Sequence, residues 1–153
     1  MRFHWYAAAI SLGVASAATA QQPDPMLISR ADLLAKVATT SGGLAVSTLP
    51  TGPNAIAVQV RREKSGEVEV HDGHEDILVG QVGRSTVVVG TAKHMKQTTP
   101  GEWRGGVIAE TRRYELAPGD ILWVPSGLAH QMLLPAGKSF TYLALKFGAK
   151  AKP

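Results

Sequence analysis

The stretch from Glu69 to Asp76, reading EVHDGHED, sets two histidines among four carboxylates, and another histidine, His130, follows a turn marked by proline and glycine. Imidazole nitrogen and carboxylate oxygen make a donor set of mixed hardness, which suits Fe(II), Mn(II) or Zn(II) better than soft-metal chemistry. On a strand, Glu69 and His71 are two residues apart, share one face and can converge on a point inside a barrel. The Asp72-Gly73 pair then turns the chain and returns Asp76 to the same neighbourhood. His74 and Glu75 are expected to sit in that turn and point outward. Alternation alone does not decide the register, because Leu78 and Val82 on one parity are as apolar as Ile77 and Val79 on the other. A slip would exchange Asp76 for His74 or Glu75. The chain has no cysteine, which removes thiol catalysis, thiolate-held metals and disulfides from consideration.

Positioning such residues requires a rigid scaffold, and 153 residues suffice for one domain with a real core. Ser29-Arg30-Ala31-Asp32 carries an N-cap residue with an acid at the third helical position, so a short helix is expected from about Arg30 to Val37. Ser41-Gly42-Gly43 ends it. Beyond that point no segment keeps a 3.6-residue period. Short runs rich in Val, Ile and Thr, punctuated by Gly, Pro and Asp, predict strands near 44–48, 54–63, 67–71, 76–82, 84–90, 104–109, 111–116, 120–125, 130–134 and 138–147. In the second of these, Ile56, Val58 and Val60 alternate with Ala57, Gln59 and Arg61, the pattern of a strand with one face inward. About ten short strands point to an all-β jelly roll. The segment from Thr91 to Gly106 breaks the pattern and is expected to be the longest loop. Within it His94 is read as a surface residue, while Trp103 and Arg104 would line the barrel mouth and bind an anionic substrate. Trp103 also has a plain packing reading, and Tyr114, Trp123 and Tyr142 are read as core or sheet-face residues.

Residues Gly119 to His130 read GDILWVPSGLAH, a glycine turn, an apolar strand, then Pro-x-Gly-x-x-His. Pro125 cannot donate to a sheet ladder and suits a strand end, and Gly127 can adopt backbone angles closed to other residues. This stretch resembles the second motif of the cupin superfamily, G-x5-P-x-G-x2-H, at all four defining positions. Leu134 stands where an asparagine often follows. The stretch from Glu69 to Gly83 resembles the first motif, G-x5-H-x-H-x3-4-E-x6-G, in modified form. Counting back from Gly83 puts Asp76 in the place of the glutamate, His71 in that of the second histidine and Glu69 in that of the first. Glu63 stands at the leading glycine. The resemblance, closest to secreted single-domain bacterial cupins with E-x-H for H-x-H, implies a double-stranded β-helix barrel, commonly dimeric. It also implies one divalent metal ion held by Glu69, His71, Asp76 and His130.

At the start of the chain, Arg2 precedes an apolar run from Trp5 to Ala17, followed by Ala18-Thr19-Ala20. This pattern predicts a signal peptide over residues 1–20 and a secreted or periplasmic protein with no membrane attachment after cleavage. Residues 21–40 would form a leader and the short helix, and 41–153 the cupin barrel. Removing Arg2 leaves 15 basic against 12 acidic residues, a formal charge of +3. The positive residues are scattered, and nothing in their arrangement points to nucleic acid. The expected partner is a small-molecule ligand or substrate, and a homodimer is expected from the resemblance. Two functions fit: a metal-dependent enzyme of oxygenase, isomerase or lyase type acting on a small oxygenated molecule, or a non-catalytic module that binds one. A third is a barrel that has lost its metal and works by self-association.

Overall fold

The computed structural model describes residues 24–148; the signal-peptide expectation lies outside the described residues. One short helix, α1 (Arg30–Ala35), precedes eleven strands: β1 (Leu44–Leu49), β2 (Ala55–Arg62), β3 (Glu69–His71), β4 (Glu75–Gly83), β5 (Ser85–Lys93), β6 (Lys96–Thr99), β7 (Glu102–Arg104), β8 (Val107–Leu116), β9 (Ile121–Val124), β10 (Ala129–Leu133) and β11 (Phe140–Phe147). They form two antiparallel sheets, ordered β1-β2-β11-β4-β9 and β6-β7-β3-β10-β5-β8. This is the double-stranded β-helix of a jelly roll. Among the described residues no helix is long and apolar enough to cross a membrane.

The inward faces of the two sheets meet in one core that includes Val60, Leu78, Val87, Leu116, Val124 and Phe140. Phe140 and Tyr142 stack within it, with ring centroids 5.4 Å apart. Strand β4 follows the two-residue period: Asp76, Leu78 and Gly80 are buried, while the alternate residues are partly exposed. The inward parity is therefore that of Asp76. Gly80 is required for packing, since a Cβ there would lie 2.1 Å from the carbonyl oxygen of Ala117. Strand β2 departs from a simple alternation, because Gln59 is as buried as Val60. The segment around α1 ties down the outer face of this sheet: Arg61 donates to the Ala38 carbonyl at 2.9 Å, and Arg30 to that of Gln81 at 3.4 Å. Ser29 caps α1, its Oγ accepting from the Asp32 amide at 3.1 Å.

Two sequence expectations are corrected. The segment from Thr91 to Gly106 is not one long loop: it holds the end of β5 and the hairpin of β6 and β7, turning at Gly101 with φ +80°. Its polar composition hid it, because β6 is exposed along its whole length and has no apolar face to alternate. The two strands expected at 104–109 and 111–116 are one strand, β8, whose pairing with β5 slips once between Val89 and Thr91. Glu110 sits there at φ +51°, so a bulge, not a turn, produces the break in pattern.

Candidate metal centre

Strand pairing brings the chemistry together before any side chain is considered. His130 on β10 is opposite Glu69 on β3, and Glu69 is opposite Arg104 on β7. His71 is opposite Glu102, and on the other sheet Asp76 is opposite Lys146. The proline–glycine turn before β10 fixes the end of β3: the Gly127 amide donates to the His71 carbonyl at 2.8 Å and the Ser126 hydroxyl to the same oxygen at 3.1 Å. Gly127 makes this approach at φ +77°, a conformation that favours glycine.

The four residues singled out from the sequence all point into the space between the sheets. Glu69, His71 and His130 each offer a ligand atom within 4.8 Å of the others, and His71, His74 and Asp76 form a second such group. The two groups share His71. Asp76 links them, its Oδ2 lying 3.4 Å from His71 Nε2 and 3.7 Å from His130 Nε2. His71 Nε2 lies 3.6 Å from Glu69 Oε2. The donors of a four-coordinate ion with bonds of about 2.1 Å are about 3.4 Å apart, so these separations suit a shared ion.

The outer sides of the imidazoles strengthen the fit. His71 Nδ1 lies 2.7 Å from Glu102 Oε2, and His130 Nδ1 lies 3.3 Å from the Leu128 carbonyl oxygen. His74 Nδ1 is 3.7 Å from the other Glu102 oxygen. The Nδ1 atoms of His71 and His130 thus each meet an acceptor, which favours the tautomer whose Nε2 lone pair is presented to the centre. His71 and His74 stack at 4.4 Å. Burial pushes the His130 imidazole below its ordinary pKa, with Asp76 and Glu69 pulling the other way. Burial also lowers His74, reinforced by the Lys146 ammonium and by His71. Burial alone would raise the Glu69 carboxyl, but His71 and the charges of Arg104, His130 and Arg62 hold it well below the usual carboxylate range. The lowered His74 and His130 favour neutral imidazoles beside an ionised Glu69, the protonation states that metal binding needs.

His74 corrects an expectation. It does not point outward but is buried, with Nε2 3.5 Å from Asp76 Oδ1. The turn at Asp72-Gly73 is tight enough to bring it back over His71. Glu75 does leave the site, accepting from Trp123 Nε1 at 2.8 Å. Trp103 and Arg104 part company across the pleat. Arg104 lines the interior cavity and pairs with Glu69. Trp103 lies in a shallow depression with Val70 and Asp72, its Nε1 donating to Asp72 Oδ2 at 2.7 Å, and braces the hairpin that carries Glu102.

Sequence reasoning missed Lys146, Glu102 and Arg62. Lys146 Nζ lies 2.8 and 3.0 Å from the two Asp76 oxygens, 3.1 Å from His74 Nε2 and 3.4 Å from His71 Nε2. Arg62 lies 3.6 Å from Glu69 and donates to the Tyr142 hydroxyl at 3.1 Å. Parity was the available signal: Lys146 shares the inward face of its strand with Tyr142 and Ala144. A cavity of about 380 Å³ extends from this centre, walled by Val58, Val60, Leu78, Val87, Met132 and Ala144.

No family model matches the chain, and no curated protein matches its sequence. Solved structures do match its fold. An uncharacterised Klebsiella pneumoniae protein with a double-stranded β-helix domain superposes with a TM-score of 0.58 at 14% identity, covering 84% of this chain and 95% of that one. An RmlC-like cupin from Shewanella frigidimarina superposes at 0.51 with 22% identity, covering 73% and 82%. The oxalate decarboxylase of Lactobacillus farciminis, solved as a formate complex, superposes at 0.52 with 14% identity, covering 72% of this chain but 30% of that one. The chain therefore has the double-stranded β-helix fold of the cupin superfamily.

Proposed function

We propose that this protein is an exported, metal-dependent enzyme of oxygenase, isomerase or lyase type acting on a small oxygenated molecule. The observation that carries the reading is the convergence of three Nε2 atoms and two carboxylates on one interior space, with the Nδ1 atoms of His71 and His130 bonded to acceptors behind them. Glu69, His71, Asp76 and His130 would hold the ion, with His74 in reach as a further donor. A bound Fe, Mn or Zn ion would act as a Lewis acid toward a substrate oxygen. Glu102 and the Leu128 carbonyl orient the imidazoles; the apolar walls exclude water and seat the substrate's carbon skeleton. Arg62 and Arg104 lie beside Glu69, where an anionic substrate group would find them. The formate complex of oxalate decarboxylase supports a small carboxylate as the first class to try.

Export is supported by the pattern at residues 1–20 and is tested by intact mass: secreted protein should begin at Gln21. A homodimer is supported by the exposed Ile121 and Trp123 on β9, an edge strand. The central test is metal analysis of the purified mature protein, followed by a substrate screen read by oxygen uptake and by NMR of the products. One bound ion with turnover is expected. A stoichiometric ion without turnover on any substrate would favour the non-catalytic binding module.

A further inference from the structure

We propose that Lys146 is a built-in competitor for the metal: its ammonium holds the His71, His74 and Asp76 group together in the metal-free chain, and a divalent ion takes that place only by displacing it. The proposal rests on the metal-binding reading above and adds what this chain does to it.

Lys146 is more than the partner of one carboxylate. Four acceptor atoms surround its Nζ between 2.8 and 3.4 Å: both oxygens of Asp76 and the Nε2 atoms of His74 and His71. These three residues are one of the two groups able to hold a metal. An ammonium has three N–H bonds and cannot satisfy four acceptors at once, whereas a four- to six-coordinate ion can. The lone pairs that Lys146 uses are those that an ion would use. Bonds to an ion of about 2.0–2.2 Å are shorter than the distances to Nζ, so loading would draw the donors inward after the ammonium leaves. Two like charges sharing a centre this small repel strongly, so ammonium and ion exclude each other.

The displaced side chain has somewhere to go. Lys146 lies near the end of β11, its side chain is 19% exposed, and it borders the interior cavity. Its flexible four-carbon stem can carry the ammonium along the cavity wall. From there it would face an anionic substrate group brought to the ion. The other carboxylate of the centre, Glu69, is paired with Arg62 and Arg104, whose charges approach it from the side and touch no imidazole among the described contacts. Competition is therefore specific to the Asp76 side.

The test uses the full mature chain, stripped of metal, as wild type and as K146M and K146Q. Zn(II) and Mn(II) chlorides are titrated by calorimetry. Both variants should bind at least tenfold more tightly than wild type. In parallel, wild type is acetylated with and without Zn(II), and modification of Lys146 is read by mass spectrometry. Lys146 should be protected without metal and modified with it. Equal or weaker affinity in the variants, or Lys146 equally protected when the ion is bound, would overturn the competition and leave metal binding standing. Absence of binding in all three proteins would overturn the metal reading and the competition with it. If K146M does not fold because Asp76 is left unpaired, K146Q keeps a hydrogen-bond donor there. If neither folds, the wild-type footprint decides.

Discussion

The two sheets each deliver one carboxylate to the centre, and each carboxylate meets a cation, but the two pairs are built differently. Asp76 and Lys146 face each other across neighbouring strands of one sheet, and the Asp76 side chain is 4% exposed. Glu69 on the other sheet is 16% exposed, and Arg104 beside it 39%. The first pair is closed into the interior and its cation also touches two imidazoles. The second has two guanidiniums, Arg62, 17% exposed and bonded to the Tyr142 hydroxyl, and Arg104, 39% exposed. The difference suggests a division of labour: the Asp76 side organises the centre, while the Glu69 side leaves charge available at the cavity entrance.

The largest effect should come from breaking the closed pair. In the metal-free protein, Asp76→Asn removes the carboxylate that accepts two of the Lys146 contacts. Since the ammonium is 19% exposed and can reach the cavity, the loss should approach but not exceed about 3–5 kcal/mol, the cost of breaking a fully buried pair. Glu69→Gln should cost less, about 1–2 kcal/mol, since Arg104 can turn to water and Arg62 keeps its bond to the Tyr142 hydroxyl. Urea denaturation of both variants measures the contrast. Equal losses would erase the distinction between the two sides.

Next is Glu102, which bonds the outer nitrogen of His71 at 2.7 Å and lies 3.7 Å from that of His74. Glu102→Gln keeps the volume but weakens the acceptor that fixes the His71 tautomer. Loss of such an outer partner typically lowers metal affinity 10–100-fold. Calorimetric titration with Zn(II) checks this, and the metal-free stability should change less than in Asp76→Asn.

Acid should separate the imidazoles from the Glu69 carboxylate by window. His74 and His130 have lowered pKa values in the folded chain, whereas unfolded histidine titrates near about 6.5. Below that pH the unfolded chain binds protons that the native state resists, so metal-free stability should fall as pH drops from 7 toward 5. Glu69 is held low when folded, so its contribution persists through that window and is lost progressively once pH falls below the ordinary carboxylate value, where the unfolded chain begins to take up the proton. Denaturation midpoints measured at steps from pH 7 to 3 should therefore show two declines. Replacing His74 and His130 by Gln should remove the upper one.

Much of this centre was legible because strand parity and the second motif constrain it. Glu69, His71, Asp76 and His130 were nameable from a two-residue period, a turn and the Pro125-x-Gly127-x-x-His130 spacing. His74 was misjudged, since whether a turn residue points in or out depends on the tightness of the turn, which residue types do not encode. Glu102 was hidden in a polar hairpin with no apolar face. Lys146 is one of several lysines near the end of the chain, and only its pairing opposite Asp76 gives it a role. Residues that act through cross-sheet neighbours carry no local pattern of their own.

The smallest effect should come from the most exposed member of the open pair. Arg104 pairs with Glu69 while more than a third of its side chain meets water, and exposed ion pairs contribute about 0–1 kcal/mol. Arg62 remains within 3.6 Å of the same carboxylate, so Arg104→Gln does not strand a buried charge. The expected change in melting temperature is a drop of no more than about 4 °C. The consequence should fall on ligand binding instead. Removing a guanidinium beside the cavity should weaken capture of a carboxylate ligand, while Zn(II) affinity should rise by less than in the Lys146 variants, because Arg62 still pairs with Glu69 and Arg104 contacts no imidazole among the described contacts. Thermal melts and parallel titrations with Zn(II) and with a small carboxylate read the two quantities separately. A stability loss as large as that of Asp76→Asn would mean that Arg104 is part of the structural frame, and the open side would then be as closed as the other.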